Sequence, residues 1–256
     1  MIRQFGLGVA LALVLAVPGA ARTSPGGGPA DVAAAVAAPG RSADNMKLDA
    51  SRRPAEVLRF LGLRKGMRVA DMFGGNRYWA EIFSQAVGPT GHVTVWEPTQ
   101  FYKEKTKAEL TAFAASHPNV SILTSPFEAP DLPSRAFDFM LINLDYHDTY
   151  WQSEKNGIVR QDPGAWLTRI RAAMKPGGIV GVVDHVGPAG DTRAIVEKLH
   201  RIDPAVVRAD FRRAGFVLDG TSDLLRNPAD DHSLLVFDPT IRGKTDRFVY
   251  RFKKPR

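Results

Sequence analysis

Three histidines in this chain stand directly beside aspartates: His147-Asp148, Asp184-His185 and Asp231-His232. An imidazole titrates near neutrality, so a histidine held by a carboxylate suits proton transfer to or from an oxygen or nitrogen. His147, with Asp148 to orient it, is the first candidate for a general base, and His185 is the second. His200, just before Asp203, is a further candidate. The alternative is that each histidine only ties down a loop. Two histidines with an aspartate are also compatible with a metal site, but no metal is assigned from the sequence. A second constellation is Asp71 followed by Gly74-Gly75, with Glu97 placed 22 positions after Gly75. Glycines at a strand end let backbone approach a ligand closely while the next helix points its N-terminus at it. An acidic residue closing the following strand can accept two hydrogen bonds from ribose hydroxyls.

These residues need a scaffold, and the hydrophobic pattern supplies one. Arg53-Pro54-Ala55-Glu56 reads as a helix start, with Pro54 at the first helical position, and Lys65-Gly66 as its stop. Strands are expected at 67–73, 92–96, 119–123, 137–144 and 179–183, with helices at 78–87, 103–116 and 164–174 between them. The run from Phe137 to Leu144 is continuously apolar, the mark of a strand buried on both faces. Asp203-Pro204 caps a helix reaching Arg213, and two final strands follow at 216–222 and 247–253. Strands separated by helices imply right-handed crossovers. The expected fold is therefore α/β, a doubly wound, mostly parallel seven-stranded sheet with an antiparallel last strand. Ligands in such sheets bind outside the carboxyl ends of the strands, and Asp71, Glu97, His147 and His185 all fall there. The long connection from Leu225 to Thr245 reads either as a lid or as a plain insertion.

With those elements in place, the chain resembles the class I S-adenosylmethionine-dependent methyltransferases, over roughly residues 44–255. More narrowly it resembles a subgroup of bacterial predicted methyltransferases with export signals. The resemblance is carried by Val69-Ala70-Asp71 entering Gly74-Gly75, by Glu97, by Met174-Lys175-Pro176-Gly177-Gly178, and by Val183-Asp184-His185. The closing segments Leu224 to Pro228, Asp230-Asp231-His232 and Arg242 to Phe248 carry it further. It implies S-adenosylmethionine as cofactor, held by Asp71, Gly74, Gly75 and Glu97, with Asn143 and Asp145 near its methionine part. It implies methyl transfer to an oxygen or nitrogen of a small molecule, with Tyr146, Tyr150 and Trp151 walling the substrate or facing the sulfonium. The family pattern has further glycines in the first turn, where this chain has Phe73, Asn76 and Arg77. Arg77 either fills ligand space or grips a carboxylate. The alternatives to an active methyltransferase are a non-catalytic periplasmic binding module on a degenerate fold, or a His/Asp metal-dependent activity. A nicotinamide site would need G-x-G-x-x-G, which is missing. Gly243-Lys244-Thr245 is no phosphate loop, because Asp238 stands where its first glycine should be.

Composition bounds the rest. With no cysteine, disulfides, thiolate metal sites and a thiol nucleophile are excluded. The formal charge of +7 gathers almost wholly in Arg242, Lys244, Arg247, Arg251, Lys253, Lys254 and Arg256. A terminal cluster is not a nucleic-acid groove, so it reads as a solvated edge strand. Arg3, the apolar run Phe5 to Val17 and Pro18-Gly19-Ala20-Ala21 form the pattern of an export signal, residues 1–21. The protein is thus expected outside the cytosol, in the periplasm, with no membrane span after processing. Residues 22–43, rich in Ala, Gly and Pro, read as a flexible linker, and residues 44–256 as the methyltransferase-like domain.

Overall fold

The alternation of side chains along β4 (Phe137–Asn143) organises the molecule. Phe139 and Leu141 pack into one hydrophobic cluster and Met140 and Ile142 into the other, so the strand is apolar on both faces. The computed structural model describes residues 27–256. The strands β1 (Arg68–Met72), β2 (His92–Pro98), β3 (Val120–Ser125), β5 (Met174–His185), β6 (Val217–Ser222) and β7 (Arg247–Lys253) complete one sheet. Its order is β3-β2-β1-β4-β5-β7-β6. The first five strands run parallel, and β7 is antiparallel to both β5 and β6. Helices α1 (Val32–Ala37), α4 (Pro54–Leu61), α5 (Tyr78–Ala86) and α6 (Glu104–Ser116) cover one face. Helices α7 (Pro163–Ala173) and α9 (Pro204–Arg213) cover the other. Two short helices, α2 (Ala43–Met46) and α3 (Asp49–Arg52), precede α4, and α8 (Thr192–Leu199) follows β5. No helix among the described residues is long and apolar enough to cross a membrane.

Local chemistry sets the helix ends. Pro54, Pro163 and Pro204 each open a helix, where a missing N–H costs nothing. The side chains of Asp162, Asp191 and Asp203 accept hydrogen bonds from the first backbone N–H groups of α7, α8 and α9. Helix α4 ends earlier than Lys65-Gly66, because Gly62 takes the left-handed conformation at φ +83° and closes it.

Three expectations are corrected. The expected export segment and residues 22–26 of the expected linker lie outside the described residues, but residues 27–43 are packed. Val32 and Ala35 are buried against α4 and α5, Pro29 bridges Arg64, and the Arg41 guanidinium forks onto Asp49 at 2.7 and 2.8 Å. Small side chains bury little area each, yet they let this helix approach closely, and backbone bonds with buried charge do the rest. The strand expected at 179–183 begins earlier, at Met174, with Pro176-Gly177-Gly178, which reads as a turn in the sequence, absorbed into β5 as an irregularity in its pairing with β4. The basic terminal strand is not a sheet edge. It is β7, inserted between β5 and β6, with Phe248, Tyr250 and Phe252 in one core cluster and Arg247 buried.

The long connection before β7 is pinned from beneath. Arg201, fully buried, donates to both oxygens of Asp230 at 2.9 Å and also to the carbonyls of Val186 and Leu234. Breaking one side of such a pair strands a buried charge. Arg201→Met should therefore destabilise the protein by about 3–5 kcal/mol in urea unfolding; a loss under about 1 kcal/mol would show that the connection is held elsewhere.

Candidate functional site

The ends of β1, β2, β4 and β5 meet at one edge of the sheet, and the turn after β1 decides what happens there. Phe73 and Arg77 bracket a single 3-10 turn, Gly74–Asn76, and both take left-handed backbone, at φ +57° and +62°. These are conformations glycine adopts freely and other residues adopt at a cost. Phe73 recovers that cost by packing: its ring meets Trp96 and Phe127 edge-on at 5.1 Å and stacks with Trp166 at 6.5 Å. Arg77 lines neither cavity described below. Its guanidinium lies 3.8 Å from Glu109 of α6.

The two glycines are obligatory for a steric reason. A Cβ on Gly74 would lie 2.6 Å from Val95 and 2.8 Å from Asp71 Oδ2, and one on Gly75 would lie 2.5 Å from Glu97 Oε1. The turn is therefore pressed onto two carboxyl groups. The Gly75 N–H donates to Glu97 Oε2 at 2.8 Å. Asp71 is buried, and its Oδ2 has no partner. Burial pushes Asp71 up to about 8, with the charge of Glu97 adding to the effect. Burial pushes Glu97 up to about 7 against the pull of the Gly75 N–H.

Two cavities flank this turn. The larger, about 480 Å³, is bounded by Gly75, Glu97, Phe101, Lys105 and Asp148 among others. The smaller, about 120 Å³, is bounded by Arg52, Asp71, Trp79, Asn143 and Leu144. Phe73, Asn76 and Asp145 border both. All six residues expected around a cofactor thus line a cavity or press on one that does: Asp71, Gly75, Glu97, Asn143 and Asp145 line, and Gly74 abuts Asp71. Arg52 carries no signal in the sequence beyond its charge. It lies over the Tyr78 ring at 4.2 Å, its Nη1 is buried without a partner, and burial lowers its pKa.

The histidines converge as expected, but by different partners. His147 Nδ1 lies 2.8 Å from Asp184 Oδ1, and its backbone N–H donates to Asp184 Oδ2 at 2.9 Å. Asp184, not Asp148, orients this ring. Burial alone would depress the His147 pKa, but Asp184 and Asp148 outweigh it and raise it to about 9. Asp184 is held below its ordinary value, burial notwithstanding, by His147 and the donors around it. Asp148 sits on the opposite side, 3.3 Å from His147 Nε2 and 3.4 Å from His200 Nδ1. His185 is unsuited to the role of second base. Its Nδ1 is engaged with Thr245 Oγ1 at 2.7 Å, and burial drives its pKa down to about 3. His232 is tied to Asp246 at 2.9 Å, part of the pinned connection.

No family model matches the chain. A demethylmenaquinone methyltransferase of Staphylococcus aureus is 29% identical over 126 residues, 48% of this chain and 45% of the relative. The chain thus spans about half the length of the curated relatives it matches. A SAM-dependent methyltransferase of Aquifex aeolicus superposes with a TM-score of 0.56 at 19% identity, covering 83% of this chain and 99% of that one. The 1,6-didemethyltoxoflavin-N1-methyltransferase of Burkholderia thailandensis, solved with S-adenosylhomocysteine, gives a TM-score of 0.52 at 18% identity, covering 81% and 80%. The fold is that of the class I methyltransferases, and the sequence has distant likeness to one of them.

The raised carboxyls at the β1 and β2 ends have a consequence for stability. A carboxyl whose pKa is higher in the folded than in the unfolded chain binds its proton more tightly in the fold. Its contribution is complete below the unfolded value, 3.8 for Asp71, and is lost as pH rises through about 8. Glu97 and His147, raised to about 7 and about 9, act in the same direction, while the lowered pKa of His185 opposes them only near its ordinary value of 6.5, so between about pH 7 and 8 the ligand-free protein should lose stability by roughly 1–2 kcal/mol per pH unit. Asp71→Asn should reduce that slope by roughly 1 kcal/mol per pH unit in chemical denaturation. An equal slope in the variant would show that Asp71 is ionised throughout.

Proposed function

We propose that the protein transfers a methyl group from S-adenosylmethionine to an oxygen or nitrogen of a small molecule. The observation that carries this is a pair of cavities that share Phe73, Asn76 and Asp145 as lining, with Glu97 on one and the unpartnered Asp71 Oδ2 and Arg52 Nη1 on the other. Their chemistry fits the donor. Glu97 spends one oxygen on Gly75 and leaves the other for adjacent ribose hydroxyls. Asp71, which holds its proton in the ligand-free site, would ionise against the ammonium of an amino-acid group, and Arg52 would meet its carboxylate. Asp145 adds a carboxyl group to each cavity, beside Glu97 in the larger and Asp71 in the smaller, which favours a cationic ligand. The likeness to methyltransferases in fold and in sequence supports the same reading.

When bound, the donor supplies a methyl carbon on a positively charged sulfur, open to in-line displacement. The residues of this chain do the rest. Phe73, Asn76 and Asp145, shared by the two cavities, fix the position of the reacting centre between them. Asp145 and Asp148 would border the acceptor, and the edge formed by Asp145, His147 and Asp148 would take the proton it gives up as the methyl–sulfur bond breaks and S-adenosylhomocysteine leaves. Export read from residues 1–21 belongs to the same proposal, and the mature chain then starts at Arg22 or Ala20.

Calorimetry tests the central claim. Purified protein should bind S-adenosylhomocysteine and S-adenosylmethionine, and Glu97→Ala should weaken both by roughly 10–100-fold, the worth of one or two hydrogen bonds to a charged group. No heat and no rise in melting temperature with either ligand would end the proposal. Binding without turnover of any offered acceptor would leave a binding module on the same fold. Mass spectrometry of the protein recovered from a periplasmic fraction should find one of the two mature N-termini; an intact Met1 there would remove the export step.

A further inference from the structure

The cluster behind the larger cavity has a geometry that hydrogen bonding does not explain. Asp148 Oδ1 is buried and has no hydrogen-bond partner, although two ring nitrogens are near it. His147 Nε2 stands 3.3 Å away and His200 Nδ1 stands 3.4 Å away. Such contacts, too long or poorly aligned to be hydrogen bonds, are the edges expected of a coordination tetrahedron. Bonds of about 2.0–2.1 Å from a central zinc to nitrogen or oxygen put neighbouring ligand atoms about 3.3–3.4 Å apart. The three atoms lie within 4.8 Å of one another, so one ion can reach them all.

The surroundings match. A metal-binding histidine is usually oriented through its other nitrogen by a carboxylate, which fixes the tautomer and strengthens the ligand. His147 has this arrangement, with Nδ1 on the fully buried Asp184 and Nε2 free to face Asp148. His200 is held for the purpose at some cost. It closes α8 in left-handed backbone at φ +49°, a conformation in which histidine is uncommon. Trp151 and Phe237 flank its ring at 5.0 and 5.2 Å and limit the access of water. The fourth side is not closed by protein alone, because Asp148 also lines the larger cavity.

We propose that His147 Nε2, Asp148 Oδ1 and His200 Nδ1 bind one divalent transition-metal ion of the zinc class, with an open position toward the larger cavity. Three protein ligands and one exchangeable position are the pattern of a site that can hold a substrate oxygen. The proposal does not depend on methyl transfer.

The test uses protein made without a histidine tag, stripped with a chelator and titrated with Zn²⁺ and Co²⁺. One equivalent should bind, and Co²⁺ should give the intense visible absorption of a four-coordinate site. His200→Asn keeps a residue that tolerates left-handed backbone, and Asp148→Asn keeps the shape of the side chain. Each should weaken binding at least roughly tenfold, with circular dichroism unchanged. Replacing His117, the residue that follows α6 and is not part of the cluster, should change nothing. The proposal is overturned if the parent protein binds neither ion, or if both variants bind as tightly as the parent. Neither readout needs a methyl donor, so this result and the calorimetric result with the nucleoside ligands are independent.

Discussion

Asp184 is fully buried at the end of β5 and accepts from the His147 backbone N–H, the His147 ring and its own neighbour, the His185 backbone N–H. A buried carboxylate is costly unless its lone pairs are met, and here three donors converge on it. The bond to the His147 backbone is the more consequential, because it locks the turn after β4 onto the end of β5. That turn carries Asp145 and Asp148, and through them one wall of each cavity. A change at Asp184 that kept its size but lost its charge would remove the reason for His147 to be where it is, and both walls would be free to move.

The second constraint is steric and lies at the other side of the edge. Gly74 and Gly75 admit no side chain because Val95, Asp71 and Glu97 already occupy the space. The turn is thereby held against two carboxyls that a looser loop would leave to solvent. Three residues with left-handed backbone, Phe73, Arg77 and Leu144, surround this spot. Each forgoes about 1–2 kcal/mol of backbone preference, and such residues persist only where packing over-determines them. For Phe73 the packing is visible in the aromatic group around Trp96, Phe127 and Trp166.

The architecture was legible because burial on both faces writes itself into sequence as unbroken apolar runs, and because Gly, Pro and Asp mark where elements end. The apolar run from Phe137 to Leu144 and the cap at Asp203 were readable on these grounds alone. What could not be read was pairing at long range. His147 adjoins Asp148 in the chain, but the carboxylate hydrogen-bonded to its ring comes from 37 residues away. Composition misled at residues 32–37, where alanines that suggest a spacer form a packed helix. Charge misled at β7, since the arginines there answer to specific partners: Arg251 to Asp219 and the Phe60 carbonyl, Arg247 to the Ser51 carbonyl. No local pattern encodes those partners. Arg52 was missed for the same reason, its meaning being supplied entirely by Asp71 and Asp145 across a cavity.

One local pattern does carry the two halves of the site together. The segment Asp145-Tyr146-His147-Asp148 runs into a 3-10 turn, in which residues three apart eclipse each other. The Asp148 N–H bonds to the Asp145 carbonyl at 3.2 Å, which closes the first such turn. Asp145 and Asp148 therefore share a face and both line the larger cavity, while Tyr146 and His147 turn inward and are buried. Tyr146 anchors through its hydroxyl to Asp210 of α9 at 2.8 Å, and His147 anchors to Asp184. The spacing thus divides four consecutive residues into two that line the larger cavity and two whose buried anchors fix the turn in place. An α-helical turn would rotate Asp148 away from Asp145 by the difference between 3.6 and 3.0 residues per turn. The tight turn is what lets Asp145 border both cavities while Asp148 stands between the larger one and the two histidine rings.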